Sequence, residues 1–541
     1  MTHSLRAAVV GAALLAAPLA AEPVFSPVRI KADVTFLADD LLEGRETGTR
    51  GHELAAKYVA AQFAVAGLLP GAKDGSWFQR VTFQERRLDG PAAVTISGAA
   101  GKQRWLNTTE VIVAPADSDA ATDLDAGVVF VGYGLDVPAK GFDDYAGLDV
   151  RGKIVAVLSG IPMGPPDEAL AHLATEKAKM AAAHGAIGIV NVASREYRKR
   201  RPWDKHLAYA NVPRMTWVAA DGTPHVDAPG IRASASLGDT AAAVLFAGAL
   251  KSFDAVRDEA APVGAHPKGF ALATRVRIEA HTAFRTLTSP EVVAMLPGSD
   301  PKLRHEYVVL MGHVDHLGIR PEMKGDNIFN GALDNAAGVA VMLEVARAFA
   351  ADPVKPRRSL MFVANTGEEK GLLGAEAFAN DPSVPIGDIA AVVDLDEPLL
   401  LYDFTDINAF GDLHSTMGPV VARAAARIGV KLSPDPQPEE TVFVRSDHYT
   451  FVKRGVPAIL LSTGYANGGT AAWADYEARH YHHPSDDLAQ KIDWAAGAKY
   501  ARVNYLIARD LGNAAERPRW YAGDYFGETF APAAPKVPRS R

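Results

Sequence analysis

The sequence predicts an α/β fold, a mixed and mainly parallel sheet flanked by helices, carrying an inserted β-rich unit. Two observations predict it. Beyond Arg275 apolar runs alternate with helical patterns: YVVLMGH, a helix from about Asp334 to Ala350, SLMFVANTGEE, another helix, IAAVVDLD and VPAILLSTG. Alternation of this kind builds parallel sheets with crossover helices. Upstream, between residues 121 and 260, the text turns to Gly- and β-branched-rich runs, GVVFVGYGL, KIVAVLSG and IGIVNV, around a helical stretch from Glu176 to Gly185. A chain of 541 residues, 48% hydrophobic and 22% charged, is long enough to bury more than one core.

In chain order, the opening MTHSLRAAVVGAALLAAPLAAEP has one early arginine, an apolar stretch from Ala7 to Leu15 and small residues around Ala20 and Ala21. Residues 1–21 therefore read as a secretory signal, so the mature chain is expected in the periplasm or outside the cell. The apolar run is shorter than the ~20 residues of a spanning helix, and no later segment supplies one, so no stable membrane anchor is expected. With no cysteine, disulfides, a thiol nucleophile and a lipidated cysteine are excluded. Residues 22–120 read as the first part of the main domain, where Leu54, Tyr58, Ala61 and Val65 recur at helical spacing before Gly67. The inserted unit is expected over 121–260 and the sheet-bearing domain over 261–515. A tail over 516–541, rich in Pro, Arg and Ala, is expected to be loosely held in its last ten residues. The net charge of -8 argues against nucleic acid as a partner, and the lone basic run Arg198 to Arg201 reads as a solvated loop.

Several apolar runs end at residues that bind metal or move protons: His313 and Asp315, Glu368 and Glu369, Asp394 and Asp396, with Asp334 ahead of its helix. In open α/β sheets the ligand site lies at the carboxyl ends of the strands, so these residues are expected to converge. Two carboxylates ~4 Å apart repel by about 4 kcal/mol at an effective dielectric near 20. A cluster of four or five needs a cation, and Lys370 is the one basic side chain inside these motifs. Histidines mixed with carboxylates suit zinc, whereas magnesium uses fewer histidines.

GHVDHLG at 312 to 318, GALDNAAG at 331 to 338, NTGEEKGLLGAEAF at 365 to 378, DLD at 394 to 396 and YHHPSDD at 481 to 487 resemble, in order and spacing, the motifs of the di-zinc aminopeptidase family, which also holds glutamate carboxypeptidases, glutaminyl cyclases and transferrin receptors. LEGRETGTRG and RSDHYTFVKRGVPAI are similar to further segments of that family, while FVGYGL, FDDYAGLDVRGKIV and AAHGAIGIV resemble its protease-associated (PA) insert. The resemblance implies a zinc-dependent exopeptidase fold with two Zn2+ ions per chain, acting on peptides. His313 and Asp396 would bind one ion, Glu369 and His482 the other, and Asp334 would bridge them. Asp315 would orient His313, Glu368 would take the proton of the attacking water, and Tyr481 would donate a hydrogen bond to the oxyanion. By the same resemblance the Asp334–Asn335 peptide is expected to be cis.

The chain departs from the family pattern in reading Asp394, Leu395, Asp396, Glu397 where relatives usually have Asn-Leu-Asp-Met, and in His483, which stands where Thr is common. His316 and His448 read either as pocket residues or as satisfied structural histidines, and His480 and His483 as parts of an exposed loop. Aminopeptidase is the expected activity, with carboxypeptidase or dipeptidase as alternatives. A glutaminyl-cyclase-type acyltransferase or a non-catalytic receptor-like module is disfavoured by the complete ligand set. No Gly-x-Ser-x-Gly elbow or His-Glu-x-x-His helix is present.

Overall fold

Tyr307–His313, Ser359–Asn365, Ile389–Asp394 and Ala458–Thr463 are buried at almost every position. Strands with so few polar positions need cover on both faces. In the computed structural model, which describes residues 23–539, they receive it. Val308, Leu310, Leu360, Phe362 and Val393 pack into one core with helices Gly338–Ala351 and Trp494–Asn513. The alternate residues Val309, Met311, Met361, Val363 and Val392 face a second core built on Phe378, Phe451, Trp520 and Phe526. The expected leader, 1–21, lies outside the described residues.

The four strands run parallel in the spatial order Ser359–Asn365, Tyr307–His313, Ile389–Asp394, Ala458–Thr463. Antiparallel strands extend both sides, Phe270–Leu296 and Phe78–Leu88 on one and Asp406–Phe410 on the other. The mixed, mainly parallel sheet flanked by helices is the one the alternation predicts.

One local expectation is corrected. Helix Arg50–Ala66 starts where the Thr49 side chain accepts from His52 N–H and stops at left-handed Gly67, but its buried stripe is Ala55, Ala56, Val59, Ala60 and Phe63. Leu54 is 38% and Val65 84% exposed. Both stripes have helical period, and the alanine-rich one wins because small side chains let the helix approach the sheet closely. The helical stretch expected from Glu176 to Gly185 forms helix Lys177–Ala183, and a further short helix, Glu168–Thr175, capped by Asp167, precedes it.

A second sheet carries parallel strands Ala121–Phe130, Ile154–Leu158, Gly188–Val192 and Ala233–Leu237. It also takes in Ala93–Gly98, Val111–Val113 and the first half of Phe270–Leu296, all outside the expected 121–260 boundaries. The physical reason is continuity. The 27-residue strand Phe270–Leu296 pairs with Ala121–Phe130 in its first half, then with Phe78–Leu88, and finally with Ser359–Asn365.

The end of the chain is held rather than loose over its described residues. Val537 N–H donates to Trp520 O at 3.0 Å, Ala522 N–H donates to Val537 O at 2.8 Å, and Arg539 reaches Leu413 O at 2.5 Å. Among the described residues no helix is long and apolar enough to cross a membrane.

Candidate metal centre

The parallel strands deliver their polar ends to one place. His313 closes its strand, Asp396 lies two residues past Asp394, and Glu368 and Glu369 follow the turn after Asn365. Asp334 arrives from a tight turn, Ala332–Ala337, that leads into helix Gly338–Ala351. The Asp334–Asn335 peptide is cis, as the sequence resemblance anticipates.

The geometry sorts the ligand-type atoms around Asp334. Its Oδ1 lies 3.3 Å from His313 Nε2, and its Oδ2 lies 3.3 Å from His482 Nε2. His313 Nε2 is 3.0 Å from Asp396 Oδ1, and His482 Nε2 is 3.4 Å from Glu369 Oε2. Ligands held at 2.0–2.1 Å around a tetrahedral zinc stand ~3.4 Å apart, so these separations fit the group that the donors suggest. Two clusters have ligand atoms close enough together to hold an ion, His313–Asp334–Asp396 and His316–Asp334–Glu369, with Asp334 common to both.

Electrostatics agrees. Burial opposes charge on His313, but Asp396 and Asp334 outweigh it and hold the imidazole well above its ordinary range. His482 is likewise raised to about 9 by Asp334 and Glu369 against the pull of burial. Burial, reinforced by Glu369 and Asp396, pushes the Glu368 carboxyl well above its usual range despite His313. Glu397 is raised in the same way by burial, Asp334 and Asp396. These acids are short of cations. Lys370 does not help, because it turns away to Glu46 Oε1 at 2.7 Å.

Asp315 meets His313 through its backbone rather than its carboxylate. His313 Nδ1 meets the Asp315 backbone carbonyl at 3.0 Å, while the nearest carboxylate oxygen is 3.9 Å away. That carboxylate accepts instead from Thr47 Oγ1 at 2.9 Å and from the Glu368 and Glu369 amides at 3.3 and 3.4 Å. Asp315 thus fixes the ring through its backbone and the Glu368–Glu369 turn through its side chain.

Several buried residues without an assigned role in the sequence hold the site's backbone. Arg45 donates to Val314 O at 2.8 Å, Asn330 O at 2.5 Å and Gly331 O at 3.0 Å, and burial lowers its pKa to about 10. Asp486 accepts from the Leu333 and Asp334 amides at 3.1 and 3.0 Å, aiming Asp334. Ser446 Oγ donates to Asp396 Oδ2 at 2.7 Å. LEGRETGTRG, YHHPSDD and RSDH carried the signal for these residues, but not the contacts that give them a task.

The centre opens into a cleft of about 600 Å³ lined by Glu368, Glu397, Arg445 and Tyr481 with apolar walls from Phe410 and Trp473. Tyr481 stacks on His482 at 4.0 Å between ring centroids. His448 is fully buried, 3.4 Å from Asp394 Oδ2, and does not line the cleft. His480 Nδ1 meets Ser485 O at 2.9 Å and His483 is exposed, as expected of the loop.

The histidine–carboxylate cluster at the carboxyl ends of the parallel strands offers the donors that zinc prefers. Residues 291–508 match the model described as peptidase family M28. A probable zinc metalloprotease of Pyrenophora teres f. teres is 42% identical over 106 residues, 19% of this chain and 22% of that protein. Aminopeptidase NAALADL1 of Mus musculus is 28% identical over 124 residues, 22% of this chain and 14% of that protein. The chain thus spans about a fifth of the length of the first curated relatives it matches, 22% and 23%. The aminopeptidase of Aneurinibacillus sp. strain AM-1 shares the fold at 20% identity, with a TM-score of 0.51 over 91% of this chain and 95% of its own.

Proposed function

We propose that this chain is an exported zinc metallopeptidase with two zinc ions per molecule, removing residues from the amino ends of peptides. The carrying observation is the two-sided Asp334 carboxylate, one oxygen toward His313 and Asp396 and the other toward His482 and Glu369. In this reading His313, Asp334 and Asp396 hold one ion and Asp334, Glu369 and His482 the other. Bound zinc supplies Lewis acidity and brings the pKa of water from 15.7 toward ~7.

The chain's own residues do the rest. Glu368 takes the proton of the attacking water and returns it to the leaving amine, a task served by its place in the cleft wall beside the ligand Glu369. Tyr481 lines the cleft beside His482, where its hydroxyl is free to donate to the oxyanion. Asp315 keeps His313 and the Glu368–Glu369 turn in register.

The amino end is favoured by the cleft's charges. Glu397 is a carboxylate beside the centre, suited to a free ammonium group. Arg445, the group that would hold a free carboxylate, is engaged by Glu440 Oε2 at 3.1 Å. The test is hydrolysis of one peptide in unblocked, amino-acetylated and carboxy-amidated forms. Acetylation should abolish cleavage and amidation should leave it unchanged; the reverse pattern makes the chain a carboxypeptidase and reassigns the cleft to Arg445.

A further inference from the structure

One buried imidazole at the centre is not accounted for by the five-ligand pattern. His316 is 0% exposed, and neither ring nitrogen makes a hydrogen bond. Its Nδ1 lies 2.6 Å from Glu369 Oε1 and 3.7 Å from Asp334 Oδ2. Glu369 Oε1 also makes no hydrogen bond, despite that proximity. Buried polar atoms are nearly always paired, and these two stand at ion-pair distance with no hydrogen bond between them; with the ring proton on Nε2, Nδ1 and the carboxylate would both present lone pairs, which a cation seated between them, the contact widening to admit it, would satisfy.

The surroundings hold the ring for that purpose. Gly331, at φ +56°, lies beneath it, and a Cβ there would sit 2.6 Å from His316 Cγ and Cδ2. Arg45 Nη2 fixes the Gly331 carbonyl at 3.0 Å, so the space under the ring is set by a buried arginine clamp. The His482 ring stands edge-on at 5.9 Å between centroids, bringing the two imidazoles to the same carboxylates from different sides.

We propose that His316 is a sixth protein ligand, binding through Nδ1 the ion held by Asp334, Glu369 and His482. This rests on the two-zinc reading and deepens it by making the two positions unequal. The second position has four protein ligands, Asp334, Glu369, His482 and His316, and the first has three, His313, Asp334 and Asp396. Four protein donors fill zinc's tetrahedral shell, as in sites that hold the metal permanently, whereas three leave a coordination position open. The second position is therefore the tight one, and the first is the open and exchangeable one.

The experiment is X-ray absorption on the zinc-loaded full-length protein, paired with zinc titration against a competing chelator. Three imidazoles shared between two zinc ions are expected in the wild-type spectrum, and chelator should strip one ion well before the other. In His316→Ala the imidazole count should fall to two and the tighter step should weaken more than about a hundredfold, beyond the 10–100-fold loss typical of a ligand's hydrogen-bonding neighbour. Two zinc ions with two imidazoles in the wild type overturn the proposal and leave the two-zinc peptidase reading intact. Fewer than two zinc ions per chain overturn both. Three imidazoles without hydrolysis of any peptide overturn the activity alone. The wild-type spectrum decides the matter even if His316→Ala fails to fold, and His316→Gln provides a gentler variant.

Discussion

His414, half-buried, and His313, buried, are both imidazoles among carboxylates, yet their clusters balance charge in opposite ways. His414 gives Nδ1 to Asp524 at 2.6 Å and Nε2 to Glu168 at 2.8 Å, so each ring nitrogen has its own hydrogen-bonded acid. Those two bonds outweigh burial and raise its pKa to about 9, making it the cation of a junction that joins helix Glu168–Thr175, the turn after strand Asp406–Phe410 and helix Tyr525–Phe530. At the metal centre three imidazoles, His313, His316 and His482, share Asp334, Glu369 and Asp396, while Glu368 and Glu397 add further acid. The first cluster satisfies itself with residues of the chain. The second is built short of positive charge, which is how a chain marks a place for ions it does not encode.

Metal removal should break the comparison most sharply. Chelation is expected to abolish peptide hydrolysis, with recovery on adding zinc and two zinc ions per active chain by elemental analysis. Zinc at 100 times its Kd should add about 2.7 kcal/mol of stability, with the His414 junction unaffected. Glu368→Gln comes next, with both ions retained and turnover lowered by about 10² to 10⁴, since it deletes a proton acceptor without removing a ligand. Glu369→Gln, by contrast, should weaken metal binding itself. Tyr481→Phe should cost on the order of 3 kcal/mol in turnover, roughly a hundredfold, and change KM less. Turnover within about threefold of the parent would assign the hydroxyl to structure alone.

The smallest effect is at the junction and depends on pH. His414 is protonated in both folded and unfolded chains below its ordinary 6.5, so its contribution is fully present there and is lost as pH rises through about 9. The interval corresponds to roughly 3 kcal/mol at most, and less with nearby Asp412, whose own pKa burial raises to about 6. Urea unfolding of the zinc-saturated protein should show the wild type losing its advantage over His414→Asn between those pH values. A constant difference across the range would mean that the pair of hydrogen bonds, rather than the charge, holds the junction.

The strands were legible because uninterrupted apolar runs have few alternatives, and the strand-end acids followed from them. His313, Asp334, Glu369, Asp396 and His482 meet because each sits at, or just past, an element boundary that periodicity can find. Arg45 and Asp486 were not legible in function, since a buried arginine bonded to carbonyls looks in sequence like any surface arginine. The part played by the Asp315 backbone is likewise invisible, because a carbonyl carries no residue label. The second sheet's edges were misplaced for a different reason: Ala93–Gly98 and Phe270–Leu296 alternate well enough to join either sheet, and only long-range pairing decides.

Strand Phe270–Leu296 carries a practical consequence for dissecting this molecule. Its first half, paired to Ala121–Phe130, alternates buried and exposed positions over FALATRVRIEAH. Excising 121–260 would strip that partner and leave a long amphipathic edge with free amides and carbonyls, a template for neighbouring molecules to add on. Such a truncation would report on self-association instead of on substrate entry. Point changes in the loops of residues 121–260, which leave the shared ribbon paired, are the way to ask whether this region affects the cleft.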